Sequence, residues 1–249
     1  MGVLTDKIVV VTGASKGIGA AIARRFGREG AKVVVNYASS RADADLVVSD
    51  IKRSGGEAIA VQADVTRRQD VERLFAETKT AYGVVDVLVN NAGVYEFRPL
   101  EQIDEQHYRR IFDINVLGLL LSTQEAAKVM NGDGGSIINI SSIVTKTPPA
   151  TSTVYSGTKG AVDVITRVLA QELAPRKIRV NTLSPGFTQT EGVEVMGMDG
   201  AQKDFFVSRT PLARAGVPDD IAKAAVFLAS DQSGWITGEE ILVGGGIRL

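Results

Sequence analysis

Seven short β-branched runs recur along the 249-residue chain, with longer stretches of helical period between them. The runs are KIVVVT (7–12), AKVVVNY (31–37), EAIAVQ (57–62), VDVLVN (85–90), GSIINIS (135–141), IRVNTL (178–183) and EEILVG (239–244). Stretches such as IGAAIARRFGREG and RQDVERLFAETKTAYG separate them. Strands alternating with helices build βαβ units around a parallel sheet. Right-handed crossovers then place helices on both faces. The runs are apolar without polar alternation, as suits strands covered on both sides. The sequence therefore predicts one α/β domain over residues 1–249, a doubly wound parallel sheet with helices on both faces. Only residues 186–217 break the rhythm. This excursion is too long for a tight connection and carries apolar Val193, Val195, Met196, Met198, Phe205 and Phe206. A lid or binding segment is expected there, with an oligomer contact or a short packed helix as the alternative.

Composition excludes several chemistries. The chain has no cysteine, which removes disulfides, thiol nucleophiles and thiolate metal sites. No His and carboxylate pattern has metal-ligand spacing, so no catalytic metal is expected. A net charge of −1 offers no electrostatic footprint for nucleic acid. The longest strongly apolar run, VLGLLL (116–121), is too short to span a bilayer. The opening MGVLTDKIVVVTGA shows no cleavage-site pattern. A cytoplasmic protein that contacts neither nucleic acid nor membrane is expected. The single histidine, His107, lies in the charged stretch IDEQHYRRIF and is expected to be a solvated surface residue.

Chemistry begins after the first strand, in TGASKGIG (12–19). Gly13, Gly17 and Gly19 stand between a strand and a helix, where glycine lets backbone approach a phosphate and the helix N-terminus offers free N–H groups. The spacing is G-x-x-x-G-x-G rather than G-x-G-x-x-G. Its place in a βαβ unit points to a dinucleotide. An acid at the end of the second strand would bind a ribose 2′-hydroxyl and repel a 2′-phosphate. Here that region reads Asn36-Tyr37-Ala38-Ser39-Ser40-Arg41, with no carboxylate before Asp43. Arg41 and Lys16 suit a phosphate dianion. NADP(H) is therefore expected over NAD(H).

Further on, YSGTK (155–159) opens a long helical run. Tyr155 and Lys159 fall one turn apart on the same face. A fixed cation near a phenol favours the phenolate and lowers its pKa.

Together, TGASKGIG, NNAG (90–93), INISS (138–142), YSGTK and NTLSPG (181–186) resemble the ordered motifs of the short-chain dehydrogenase/reductase family. The resemblance covers essentially the whole chain. It is closest to the bacterial NADPH-dependent carbonyl reductases and 3-oxoacyl-[acyl-carrier-protein] reductases. It implies a Rossmann-like fold and a catalytic set of Asn115, Ser142, Tyr155 and Lys159. Ser142 would polarise a carbonyl, Tyr155 would exchange its proton, and Lys159 would hold the nicotinamide ribose. Asn115 would anchor a proton-relay water. It also implies cofactor contacts from Gly13, Ser15, Lys16, Gly17, Ile18, Gly19, Asn36, Tyr37, Ser39, Arg41, Asp64, Val65, Asn91, Ala92 and Gly93. Pro185, Gly186 and Thr188 would form the turn over the carboxamide. Many family members carry an Asp before the paired glycines near the C-terminus, where this chain reads VGGGIRL.

The residues around that set predict a largely hydrophobic substrate pocket with no cationic anchor. Ser142, Ile143, Val144, Val94, Tyr95, Phe97, Pro149, Ala150, Tyr155, Gly186, Val193, Met196 and Phe205 are the candidates. A bulky apolar or aromatic ketone fits best. The first alternative is a reductase of acyl-carrier thioesters, although AAKVMNGDGGSIINIS lacks a basic cluster, with Lys128 followed by Asn131 and Asp133. Arg167 or Arg176 could supply charge for that role. The second alternative is a non-catalytic NADP(H) sensor. The helices around RRIFDINVLGLLLSTQEAAKVM and AVDVITRVLAQELA look apolar on much of their circumference, which predicts a homo-oligomer, with a tetramer implied by the family.

Overall fold

The computed structural model describes residues 2–130, 134–191 and 200–247. All seven predicted strands are present: β1 (Ile8–Val11), β2 (Lys32–Tyr37), β3 (Glu57–Gln62), β4 (Val87–Asn90), β5 (Gly135–Ile140), β6 (Ile178–Pro185) and β7 (Glu240–Val243). They pair in parallel in the order β3-β2-β1-β4-β5-β6-β7. Successive residues of β1 serve opposite faces. Val9 and Val11 join one apolar cluster with Ile22 and Phe26 of helix α1 (Gly17–Arg28). Ile8 and Val10 join another with Leu74 and Phe75 of helix α3 (Arg68–Ala81). Both faces are thus covered, which is why the strands read as unbroken apolar runs.

The remaining helices are α2 (Arg41–Arg53), α4 (Glu105–Phe112), α5 (Gly118–Val129), α6 (Thr153–Leu173), α7 (Gly200–Ser208) and α8 (Pro218–Ala229). A π-helical turn, Asp113–Leu117, joins α4 to α5. No helix among the described residues is long and apolar enough to cross a membrane.

A buried polar seam fixes α6 to the sheet. Asn90, Asn139 and Thr182 are register partners on β4, β5 and β6. Asn90 Nδ2 donates to Asn139 Oδ1 (2.9 Å), and Asn139 Nδ2 donates to Thr166 Oγ1 on α6 (2.8 Å). Thr182 Oγ1 donates to the same Thr166 oxygen (2.9 Å). The seam is buried, so each bond is expensive to lose.

One expectation needs correcting. His107 is buried, 3% exposed, because it shares the inward face of α4 with Ile111, and its Nδ1 lies 3.7 Å from Glu96. In the excursion after β6, Thr188 bridges Gly216 and the short helix α7 lies between them, with Phe205 and Phe206 lining the cavity described below. Val193, Val195, Met196 and Met198, and likewise Asn131 and Asp133, lie outside the described residues. Helix α6 leaves Val164 and Val168 about half exposed, so it is not buried on all sides in one subunit.

Candidate active site

Segments that follow β1 to β6 line one cavity of about 1060 Å³. It lies where the strand order reverses between β1 and β4, the usual ligand position in open α/β sheets. Of the expected cofactor residues, Gly13, Ser15, Lys16, Gly17, Ile18, Asn36, Ser39, Asp64, Val65, Asn91, Ala92, Gly93, Pro185, Gly186 and Thr188 line it. Ser40 does so as well.

The glycine loop is built by close packing. Gly17 has a left-handed backbone (φ +58°) that a side chain would strain. Gly19 does not line the cavity; a Cβ there would sit 2.4 Å from Asn91 Nδ2. That nitrogen donates to the Thr12 and Gly13 carbonyls at 2.9 and 3.0 Å, so Gly19 makes room for the brace that shapes the loop.

Three expected contacts play other parts. Tyr37 is buried in the core and off the cavity. Asn36 lines the cavity, but its amide is committed to backbone, accepting from Gly13 N (3.1 Å) and donating to Val61 O and Ala63 O (3.3 and 3.1 Å). Arg41 is exposed, lies outside the lining and pairs with Asp45 at 3.5 Å, one turn along α2. Lys16 does line the cavity, with Nζ 3.0 Å from Asp43. That pairing had no signal in the sequence, because Asp43 lies in the first turn of α2, beyond the strand end. Nor did the sequence signal Glu191, whose Oε2 accepts from Gly17 N at 3.1 Å.

These two carboxylates test whether the residues fit a dinucleotide. Glu191 stands where a pyrophosphate oxygen would meet the start of α1, and Asp43 shows that Lys16 can hold an anion. The donor set fits.

At the other end lie Ser142, Tyr155 and Lys159, all on the lining. Tyr155 and Lys159 occupy the first two turns of α6, and the shared face is as the spacing predicted. Lys159 Nζ is buried, donates to Ile140 O at 2.8 Å and lies 5.7 Å from the Tyr155 ring centroid. Ser142 follows β5, its Oγ accepts from Val144 N (3.4 Å), and its hydroxyl favours the ionised phenol of Tyr155.

The expected lowering of the Tyr155 pKa is not found. Burial pushes Tyr155 up to about 12, against a smaller opposing effect of Ser142. Burial also pulls Lys159 down to about 8, partly offset by the Asp163 carboxylate below it on α6. Desolvation disfavours both charged forms and is the largest cause of each shift.

Asn115 is placed differently from expectation. It sits in the π-turn, off the cavity. Its Oδ1 accepts from Val94 N (2.8 Å), while Nδ2 donates to Val94 O (2.9 Å) and Thr158 Oγ1 (3.1 Å). Its amide clamps the loop after β4 to the helix that carries Tyr155. That is a positioning role, at a π-bulge of the kind found beside functional sites.

Of the residues expected around a substrate, Tyr95, Phe97, Val94, Ile143, Val144, Pro149, Gly186 and Phe205 line the cavity; Ala150 does not, and Val193 and Met196 lie outside the described residues. Tyr95 and Phe97 pack on Tyr155 with ring centroids 6.1 and 5.9 Å away. Phe187 and Phe206 add a second aromatic wall, stacked at 4.8 Å. The expectation of no cation is overturned, because Arg209 lines the cavity too. Its i, i+4 relation to Phe205 was a usable signal.

Comparison with known proteins agrees with this geometry. A family model described as enoyl-(acyl carrier protein) reductase matches residues 13–248. An uncharacterized oxidoreductase of Methylorubrum extorquens is 57% identical over the full length of both chains. A short-chain dehydrogenase/reductase of Pestalotiopsis microspora is 41% identical, covering 98% of this chain and 96% of that one. The structure of LugOII, a promiscuous reductase that catalyses keto-reduction during lugdunomycin biosynthesis, superposes with a TM-score of 0.92 at 39% identity over 99% of each chain. Motif order, sheet topology and these matches agree: the chain belongs to the short-chain dehydrogenase/reductase family, oxidoreductases that use a nicotinamide cofactor.

Proposed function

We propose that this protein reduces a hydrophobic or aromatic ketone to a secondary alcohol with NADPH, reversibly. The observation that carries the reading is that Ser142, Tyr155 and Lys159 line the same cavity as the glycine loop. A carbonyl oxygen held between Ser142 and Tyr155 receives a hydrogen bond from the serine as negative charge develops on it. Tyr155, protonated because burial raises its pKa, delivers the proton. A reduced nicotinamide bound along the cavity supplies the hydride. Lys159 holds its charge beside the phenol and offers donors to ribose hydroxyls. Asn115 keeps the loop after β4 and α6 in register.

The preference for NADPH rests on Lys16, Ser39 and Ser40 and on the missing acid at the end of β2. Arg41 supports it only if its side chain leaves Asp45, and Lys16 must exchange Asp43 for the phosphate. We place the enzyme in the cytoplasm as a homotetramer, with the half-exposed Val164 and Val168 of α6 at a subunit contact.

The acyl-carrier reading is favoured by the description of the matching family model. Against it, Lys128 is paired with Glu125 at 2.6 Å, and Arg176 donates to the Ala127 and Met130 carbonyls. Arg176 is committed to those carbonyls, and Lys128 would have to leave Glu125 to meet an acidic partner. The sensor reading has little support in a chain that keeps Ser142, Tyr155 and Lys159.

The test is oxidation of NADPH and, separately, NADH with a bulky aryl ketone, a cyclic ketone and an acetoacetyl thioester. Rapid NADPH use with a free ketone is expected. A strong preference for the thioester would move the reading to acyl-carrier reduction. Faster turnover with NADH would overturn the Lys16 argument.

A further inference from the structure

Arg209 is the feature of the cavity that the chemistry above leaves unused. It follows α7 directly, and its guanidinium carbon lies 4.2 Å from the Phe205 ring centroid. Phe205 meets Phe206 edge-on at 5.6 Å, and both line the cavity.

Five charged residues line the cavity, and four are engaged. Lys16 is paired with Asp43, and Lys159 is buried against Ile140 O. Asp64 accepts from the Thr66 backbone and hydroxyl, and Glu191 from Gly17 N. Arg209 has no carboxylate within ion-pair distance among the described residues. A guanidinium stacked on an aromatic face keeps its in-plane N–H donors free. That fork matches a carboxylate in bidentate geometry.

We infer that the substrate is an aryl ketone carrying a carboxylate remote from the carbonyl, with its ring against Phe205 and Phe206 and its anion on Arg209. The inference rests on the ketone-reductase reading and narrows it. The aromatic wall alone accepts any flat apolar ketone. Arg209, exposed at the cavity rim and without an ion pair among the described residues, adds discrimination, because its fork offers a carboxylate two charge-assisted hydrogen bonds that a neutral ester does not match.

The experiment compares para-acetylbenzoate with its methyl ester, using NADPH and both wild-type enzyme and Arg209→Gln. Binding of para-acetylbenzoate to the NADP+-loaded proteins is measured alongside by calorimetry. The wild type is expected to favour the acid by about tenfold in kcat/KM, through KM. Arg209→Gln is expected to lose that preference and to weaken calorimetric binding of the acid to a similar degree. Equal use of acid and ester by the wild type, or an equal loss for both in the variant, would overturn the anion site and leave the ketone-reductase reading standing. Arg209-dependent binding of the acid with no turnover of either ketone would support the site and count against the reductase reading. Absence of both binding and turnover would overturn the inference.

Discussion

Lys159 has two tasks that burial sets against each other. In the proposed reaction it carries charge beside Tyr155, yet its surroundings pull its pKa down to about 8. Tyr155, held at about 12, stays protonated across the neutral range, so it has a proton to give but needs a nearby positive charge to lower that value and make it a good acid. The sign follows directly. Lys159 is charged below about 8 and loses its proton as pH rises through that value. The pH profile of kcat/KM reports the free enzyme. It should therefore hold at neutral pH and fall above about 8, along the lysine rather than the tyrosine. Asp163 favours the ammonium form, and is itself raised by burial while Ser141 and Thr145 stabilise its anion. Asp163→Asn should therefore move the alkaline limb to lower pH; a limb that moves upward or stays in place would contradict the electrostatic account. The sequence placed Tyr155 and Lys159 on one face correctly, because a four-residue spacing on a helix is local geometry. It misjudged the phenol's pKa, because burial comes from residues remote in sequence, Tyr95 and Phe97 among them.

At the scale of elements, loops between strand and helix do the binding, and helices and sheet hold them still. Glu191 sits on the first N–H of α1, the place a pyrophosphate would take. Glu191→Gln removes a competing negative charge and should tighten NADPH binding several-fold, read by fluorescence titration. Unchanged affinity would mean that the contact carries no weight. Thr166 joins α6 to β5 and β6 through the polar seam. Thr166→Val leaves the buried Asn139 amide without its acceptor and should cost ~1–3 kcal/mol of stability. Thermal unfolding would show it. The seven strands were legible because apolar β-branched runs signal buried strands without tertiary information. The seam was not, because it depends on the register that brings Asn90, Asn139 and Thr182 level. His107 was misread for a similar reason: its charged neighbours in sequence occupy the outer face of α4, while it points inward with Ile111.

At the scale of the molecule, the parallel order with a reversal between β1 and β4 gathers six strand ends around one cavity. That arrangement explains why motifs scattered from Gly13 to Thr188 act together. It also explains the limit of sequence reading at the cofactor end. Proximity in sequence suggested Arg41, whereas the fold turns it outward along α2 and brings Asp43 to Lys16. The half-exposed Val164 and Val168 should be covered in solution. Sedimentation should give an oligomer, and Val168→Asp should shift it toward smaller species. The most direct test of the whole account is the rate of NADPH oxidation with an aryl ketone by wild-type protein and Tyr155→Phe. NADPH binding is measured on both. The account predicts ketone-dependent oxidation that falls by ~10²–10⁴-fold in the variant while NADPH still binds. A variant that binds NADPH and turns over the ketone at the wild-type rate would contradict it.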